Sequence, residues 1–147
     1  NKFNPQRFIQ KGSIDVKENV VFLNHRDCLK LFGYSSENHY QRAWWEKGTR
    51  AFNQAVWFPK LYPNKEWKNV LSPDRSTIFE ERVINGNPVK INPPVKKDRI
   101  VFAHYKNIFG QTVYKFYGIY ETDFDSTTEF KHVHRRIETE IDLTKYV

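Results

Sequence analysis

The sequence predicts a mainly β, α+β domain, built as a small curved sheet or barrel-like body with short helical insertions. Three observations lead there. Aromatic residues make up 16% of the 147 positions while mean hydropathy is only -0.75, so the apolar content is carried by large rings set among polar residues. That pattern suits pleated, half-buried strands better than a helical bundle. Strand-like runs stand at both ends of the chain with a helical stretch between them, as expected for short helices inserted into a β body. The C-terminal third holds two long strand-like runs joined by a short glycine-containing loop, the pattern of a β-hairpin.

Residues 1–19 are polar and mixed, with Pro5 and Gly12 interrupting any period, and read as an entry segment that contributes little core. NVVFLN (19–24) is a short apolar run of β formers and reads as a strand. HRDCLKLFGY sets Cys28, Leu29 and Phe32 at helical spacing ahead of Gly33, a short helix with a glycine stop. NHYQRAWWEKGTRAFNQ stays open between helix and strand, because the adjacent Trp44 and Trp45 face different directions in either. AVWFPKLY reads as a strand whose Pro59 confines that part to an edge or a bulge. PNKEWKNVLSPDRS, punctuated by Pro63, Asn64, Pro73 and Asp74, reads as a surface loop.

TIFEERVI (77–84) alternates as a strand would, with Ile78, Glu80, Arg82 and Ile84 on one side, although a short helix is an open alternative. In NGNPVKINPPVKKD the Asn-Gly pair invites a tight turn. RIVFAHYKN and TVYKFYGIYETD form the hairpin, joined by NIFGQ with Gly110 at positive φ. FKHVHRRIETEIDL adds a strand with Phe130, His132, His134 and Arg136 on one face and Lys131, Val133, Arg135 and Ile137 on the other.

The length fits one domain over 1–147, large enough for a core without disulfides or metals. The opening NKFNPQRF is neither a signal peptide nor a native initiator and reads as a piece of a larger protein. The lone Cys28 cannot form an internal disulfide and reads as a buried position, which points to a reducing cytoplasm. No run approaches a membrane span. A net charge of +7 and a pI near 9.5 favour anionic partners.

Catalytic signatures are absent: there is no phosphate-cradling glycine loop, no G-x-S-x-G and no dinucleotide fingerprint. PDRSTIFEER (73–82) supplies Asp74, Glu80 and Glu81, a candidate set for a metal-dependent nuclease, but the carboxylates lie along one segment rather than converging from several elements. His132 and His134 point the same way on a strand, yet zinc needs three or four ligands and no close third His or cysteine pair accompanies them. Neither a catalytic set, a metal site nor a cofactor is therefore expected.

The informative feature is the stretch AVWFPKLYPNKEW (55–67). All four tryptophans, Trp44, Trp45, Trp57 and Trp67, fall within 24 consecutive residues. Arg42, Lys47, Arg50, Lys60, Lys65 and Lys68 accompany them, against only Glu46 and Glu66. Any single ring there can be a core residue, Trp57 foremost. The whole cluster fits rings that stack on bases and cations that meet phosphates, or rings that wall a pocket for one flipped base. Candidate nucleic-acid contacts are Arg42, Trp44, Trp45, Arg50, Trp57, Lys60, Tyr62, Lys65, Trp67, His104, Lys106, Arg135 and Arg136. A protein-docking surface is a further alternative, since Trp, Tyr and Arg also dominate interface hot spots.

VWFPKLYPNKEW, the hairpin DRIVFAHYKNIFGQTVYKFYGIYE and the closing HVHRRIETEIDL together resemble the small β-barrel recognition modules of the PUA-like superfamily, which includes the SRA and EVE domains of modification-dependent restriction systems. The resemblance covers roughly residues 55 to 143 and is one of pattern. It implies a DNA-recognition domain of a bacterial defence protein, binding duplex DNA and sensing a modified or flipped base. It also implies a nuclease or motor domain in the same or a partner chain.

Overall fold

A computed structural model describes residues 3–34, the backbone of 44–45, and residues 53–146. The entry segment is more than a polar lead-in. Helix α1 (Pro5–Lys11) starts at Asn4, whose side chain accepts from the Gln6 amide, with proline in its first turn. Phe8 on that helix and Ile14 on strand β1 (Ser13–Asp15) are both buried. Strand β1 finds its partner at the far end of the sequence, in β11 (Glu140–Asp142), with Ile14 opposite Ile141. Helix α2 (His25–Lys30) is capped by Asn24, which accepts from the Asp27 amide at 2.9 Å, and buries Cys28 and Leu29.

The main body is one nine-stranded sheet. In chain order its strands are β2 (Val21–Phe22), β3 (Trp44–Trp45), β4 (Gln54–Trp57), β5 (Trp67–Leu71), β6 (Thr77–Ile84), β7 (Asn87–Val89), β8 (Asp98–Lys106), β9 (Thr112–Thr122) and β10 (Lys131–Glu138). Their spatial order is β3-β4-β8-β9-β10-β6-β5, with β2 added to β9 and β7 to β6. The curled sheet agrees with the fold class expected. All pairings are antiparallel except β4 with β8.

The hairpin of β8 and β9 forms where the alternation places it, and the amides of Phe109 and Gln111 donate to Asn107 Oδ1 to set its loop. Asn85 and Gly86 both take positive φ, 50° and 78°, the left-handed pair that a tight two-residue turn between β6 and β7 requires.

A second expectation is corrected. The segment 63–76 is not all loop: Asn64 and Trp67 close a tight turn around Lys65 and Glu66, and 67–71 pairs with β6 as β5. Strand β4 lies between β3 and β8 and ends at Trp57, so Pro59 follows the ladder where no amide is needed, although its carbonyl still accepts from the His104 amide at 2.9 Å.

The two faces of the sheet are covered differently. One packs Val56, Phe58, Ile100, Phe102, Phe116 and Ile119 against Phe8, Phe22, Leu29 and Phe32, an apolar core roofed by the helices. The opposite face carries a smaller cluster of Trp57, Ile78, Val101, Ala103, Tyr117 and Tyr120. A bulge in β9 serves both: Val101 faces Gly118 and Phe102 faces Phe116, which leaves Tyr117 as the extra residue. Gly118 takes φ 116°, and a Cβ there would lie 2.5 Å from the Glu138 carbonyl, so no side chain fits.

Candidate functional site

Strand register assembles a row of polar side chains on the second face. Glu80 of β6 stands opposite His132 of β10 and opposite Asn69 of β5, so the three share one face. His134 follows two residues along β10, opposite Thr122 of β9, while Arg99 of β8 lies opposite Tyr120. Asn69, Arg99, Thr122, His132 and His134 are all buried, an unusual density of polar groups for a sheet interior.

These groups satisfy one another in a chain. Arg99 Nη1 donates to Thr122 Oγ1 at 2.9 Å, and that hydroxyl lies 2.9 Å from His134 Nδ1. His134 Nε2 is 3.1 Å from Glu80 Oε1, and His132 Nδ1 is 3.4 Å from the same oxygen. A carboxylate oxygen can only accept, so His134 carries its proton on Nε2 and receives the Thr122 hydroxyl at Nδ1. Burial by itself works against a charge on Glu80; the hydrogen bonds from His132 and His134, with the nearby charge of Arg99, outweigh it and bring its pKa down to about 2. Burial also holds His134 below the ordinary histidine range, so its imidazole is neutral at neutral pH. The product is a fixed, ionised acceptor in a low-polarity setting.

Beside this row opens a pocket of about 250 Å³, lined on the sheet side by Trp57, Glu80, Arg99 and His132 and on the other by residues 91–95. The Pro93-Pro94 pair stiffens that strap, which is tied down by the Ile91 amide donating to the Glu129 carbonyl and by a Lys90–Glu129 ion pair. The volume is below the roughly 300–1,000 Å³ of drug-sized sites and suits a single ring system. Trp57 is only 7% exposed, yet its ring meets the pocket, the His134 ring at 5.4 Å and the Arg99 guanidinium at 5.4 Å. It is both core and pocket wall. Asn69 Oδ1 is buried without a hydrogen-bond partner among the described residues, which leaves an acceptor beside Glu80.

The other residues singled out in the sequence lie in varied places. Trp67 is half-buried beneath the Arg82 guanidinium, 6.0 Å from its ring, and borders a shallow cavity of about 480 Å³ shared with Lys65. Tyr62 is 44% exposed; Lys106 is exposed and Lys60 half-buried. Arg135 is bound to Asp123 at 2.7 Å, and Arg136 Nη1 donates to the Tyr117 carbonyl at 3.2 Å. His104 packs against Tyr114, and burial, with the charges of Lys60 and His25, lowers its pKa to about 4. The positive charge that a cationic phosphate contact needs is therefore missing there at neutral pH. Trp44 and Trp45 pair through their backbones with Trp57 and Val56, and Arg42 and Arg50 lie outside the described residues.

The carboxylates weighed for a nuclease do not converge. Asp74 builds its own turn, accepting from the Ser72 and Ser76 hydroxyls and the Ser76 amide, which draws its pKa to about 2. Glu81 sits on the opposite face from Glu80, beside Lys131 at 3.7 Å. Glu80, His132 and His134 do offer ligand atoms within 4.8 Å of one another, so β6 brings a third ligand to the histidine pair. The same arrangement is fully explained by hydrogen bonds to an ionised carboxylate.

Sequence reasoning missed Asn69, Arg99 and Thr122. The available signal was charge at an inward strand position, since Arg99 alternates with the core residues of β8.

A family model for the SET and RING associated domain matches residues 7–143. Among solved structures, the chain is similar to "The 5-Hydroxymethylcytosine-Specific Restriction Enzyme AbaSI", with a TM-score of 0.78 and 32% identity. The match covers 96% of this chain and 45% of that one, so the chain spans less than half of that enzyme's length. No curated protein matches significantly. None of the described helices is long and apolar enough to cross a membrane.

Proposed function

This chain belongs to the SET and RING associated (SRA) domain family, and on that footing we propose that its Glu80 pocket receives one modified cytosine turned out of a DNA duplex. The domain is a DNA-binding, modified-base recognition domain of the kind found in restriction proteins. The observation that carries the pocket assignment is the ionised Glu80 carboxylate, held between two imidazoles and exposed to a cavity walled by Trp57.

A base inside a duplex cannot reach such a cavity, so the nucleotide must leave the stack. Cytosine presents an exocyclic amino donor that a carboxylate accepts, where thymine presents only an oxygen. Glu80 thus favours cytosine, while Asn69, opposite it on β5, stands outside the pocket lining. Trp57 and the strap 91–95 supply the apolar walls. Because the similar enzyme is specific for 5-hydroxymethylcytosine, that base is the modification we assign to the pocket, with His132 and Arg99 as the polar groups available to its hydroxyl. Surface cations, among them Lys60, Lys65, Lys106 and Arg135, supply salt-dependent contacts to the duplex backbone, and a nuclease domain in the same or a partner chain uses the recognition.

Fluorescence anisotropy of labelled duplexes carrying cytosine, 5-methylcytosine or 5-hydroxymethylcytosine tests this, with Trp emission recorded in parallel. The expected result is tightest binding and Trp57 quenching with 5-hydroxymethylcytosine, both lost in Glu80→Gln. Equal affinity for all three duplexes would overturn the base-reading role.

A further inference from the structure

The second face of the sheet carries another polar group that the pocket does not use. Lys115 of β9 lies opposite Ala103, on the same face as Val101 and Arg99, and is only 9% exposed. A lysine this buried normally has an acidic partner. Among the described residues Lys115 has none; its ammonium rests on two rings, 4.7 Å from the centroid of Tyr105 and 5.6 Å from that of Tyr117.

A second cation reaches the same ring. Arg75, exposed at the β5–β6 turn, holds its guanidinium 5.4 Å from the Tyr117 centroid. Its backbone is pinned there, since the Tyr120 hydroxyl donates to the Arg75 carbonyl at 2.7 Å and Arg75 itself takes φ 64°, a conformation rare for residues other than glycine. Arg136 lies alongside, its Nη1 on the Tyr117 carbonyl. None of the three makes an ion pair among the described residues, although Lys11, Lys30, Arg82, Lys90, Lys131 and Arg135 all do. Three cations around one tyrosine, with no carboxylate paired to them among the described residues, repel one another, and the buried Lys115 is costly to desolvate. Such an arrangement is worth keeping only when an anion completes it.

We infer that Arg75 and Lys115, set about the Tyr117 ring, form a binding site for a phosphodiester of the DNA backbone. The site shares its sheet face with the Glu80 pocket, and the cluster of Trp57, Val101, Ala103, Tyr117 and Tyr120 lies between them. A duplex laid over that face would therefore meet a phosphate anchor at one end and the base pocket at the other. Arg75 and Tyr105 are exposed, so the rim of the anchor meets solvent while Lys115 lies beneath it. Burial first, and then the charge of Arg75, lower the Lys115 pKa, in keeping with a cation that lacks a countercharge in the free protein.

This inference rests on the DNA-binding reading, and the test separates the two. Lys115→Met keeps the unbranched shape and most of the packing of the side chain, one atom shorter, while removing the charge. Binding of modified and unmodified duplexes by Lys115→Met, Arg75→Gln and Glu80→Gln is followed over a salt series, with melting temperatures recorded. Lys115→Met and Arg75→Gln are expected to weaken both duplexes by the same factor, about 3- to 10-fold, and to reduce the slope of log K against log salt by about one. The preference for the modified base survives in both. Lys115→Met is further expected to raise the melting temperature, because an uncompensated buried charge is gone; a purely structural lysine would give the opposite sign. Wild-type affinity and salt slope in Lys115→Met would overturn the phosphate site and leave the base pocket standing. A wild-type protein that binds neither duplex would overturn both. Unchanged competition by inorganic phosphate, with lost affinity for duplex, would identify the backbone rather than the free anion as the ligand.

Discussion

The two faces of the central sheet use the same strands for opposite ends. On the face roofed by α1 and α2, aromatic and aliphatic side chains interlock, with Phe102 flanked by Phe22, Phe32, Phe58 and Phe116 at centroid distances of 5.4 to 6.4 Å. On the other face the strands turn Arg99, Lys115, Thr122, His132 and His134 inward around a smaller apolar cluster. The roofed face gains stability through burial of apolar area. The other face, equally buried, spends some of that stability on preorganised charge and hydrogen bonding, the pattern of a site shaped for a ligand. Stability and recognition are thus divided between residues one position apart on each strand.

Substitutions on each face should break different properties. Phe102→Ala should have the largest effect, a loss of about 3–5 kcal/mol of folding free energy from a cavity in close-packed surroundings, read as a lowered denaturant midpoint with little change in base preference among molecules that remain folded. Glu80→Gln should cost about 1–3 kcal/mol of discrimination between modified and unmodified DNA, with a smaller shift in melting temperature than Phe102→Ala. If Glu80→Gln unfolded the protein while Phe102→Ala merely weakened DNA binding, the division of labour would be wrong.

Acidification should sharpen the comparison. His104 and His134 are held below their unfolded pKa of about 6.5, so the unfolded chain binds more protons and stability should decline as pH falls below about 6.5, continuing to about 4 for His104. Glu80 adds to the decline in the same sense at lower pH: its stabilisation is present above about 4.5 and lost as pH falls toward its folded value of about 2. Urea midpoints measured from pH 7 to 3 should show the earlier decline flattened in His104→Phe, and a curve unchanged by that substitution would reject the assignment. Asn69→Ala should have the smallest effect on stability, within about 1 kcal/mol of wild type, because it removes an acceptor already unsatisfied. Its affinity for modified duplex should stay close to that of wild type, because Asn69 does not line the pocket.

The hairpin of β8 and β9, the strand 77–84 and the Asn85–Gly86 turn were legible because alternation and turn chemistry act locally. Strand β5 was not: Trp67, Lys68 and Asn69 between two prolines look like loop, and the strand exists because β6 pairs with it. The entry segment hid its core role for a similar reason, since Ile14 is buried only when β1 meets β11. At the site, the shared face of His132 and His134 followed from their spacing, but Glu80 was read for metal chemistry because its neighbours in space come from β5 and β10. The aromatic cluster drew attention to Trp57, whose ring lines a pocket, while the charged groups beside it are buried within otherwise apolar strands.

The extra residue at Tyr117 sets a phase. Upstream of it Lys115 and Tyr117 point toward the ligand side on odd numbers; downstream, Tyr120 and Thr122 do so on even ones. Removing one residue there would reverse the parity of everything that follows, driving the Thr122 hydroxyl into the roofed core and Ile119 out of it. This strand can therefore change its specificity by replacing letters, but a gain or loss of a single letter near Gly118 would exchange its inside for its outside.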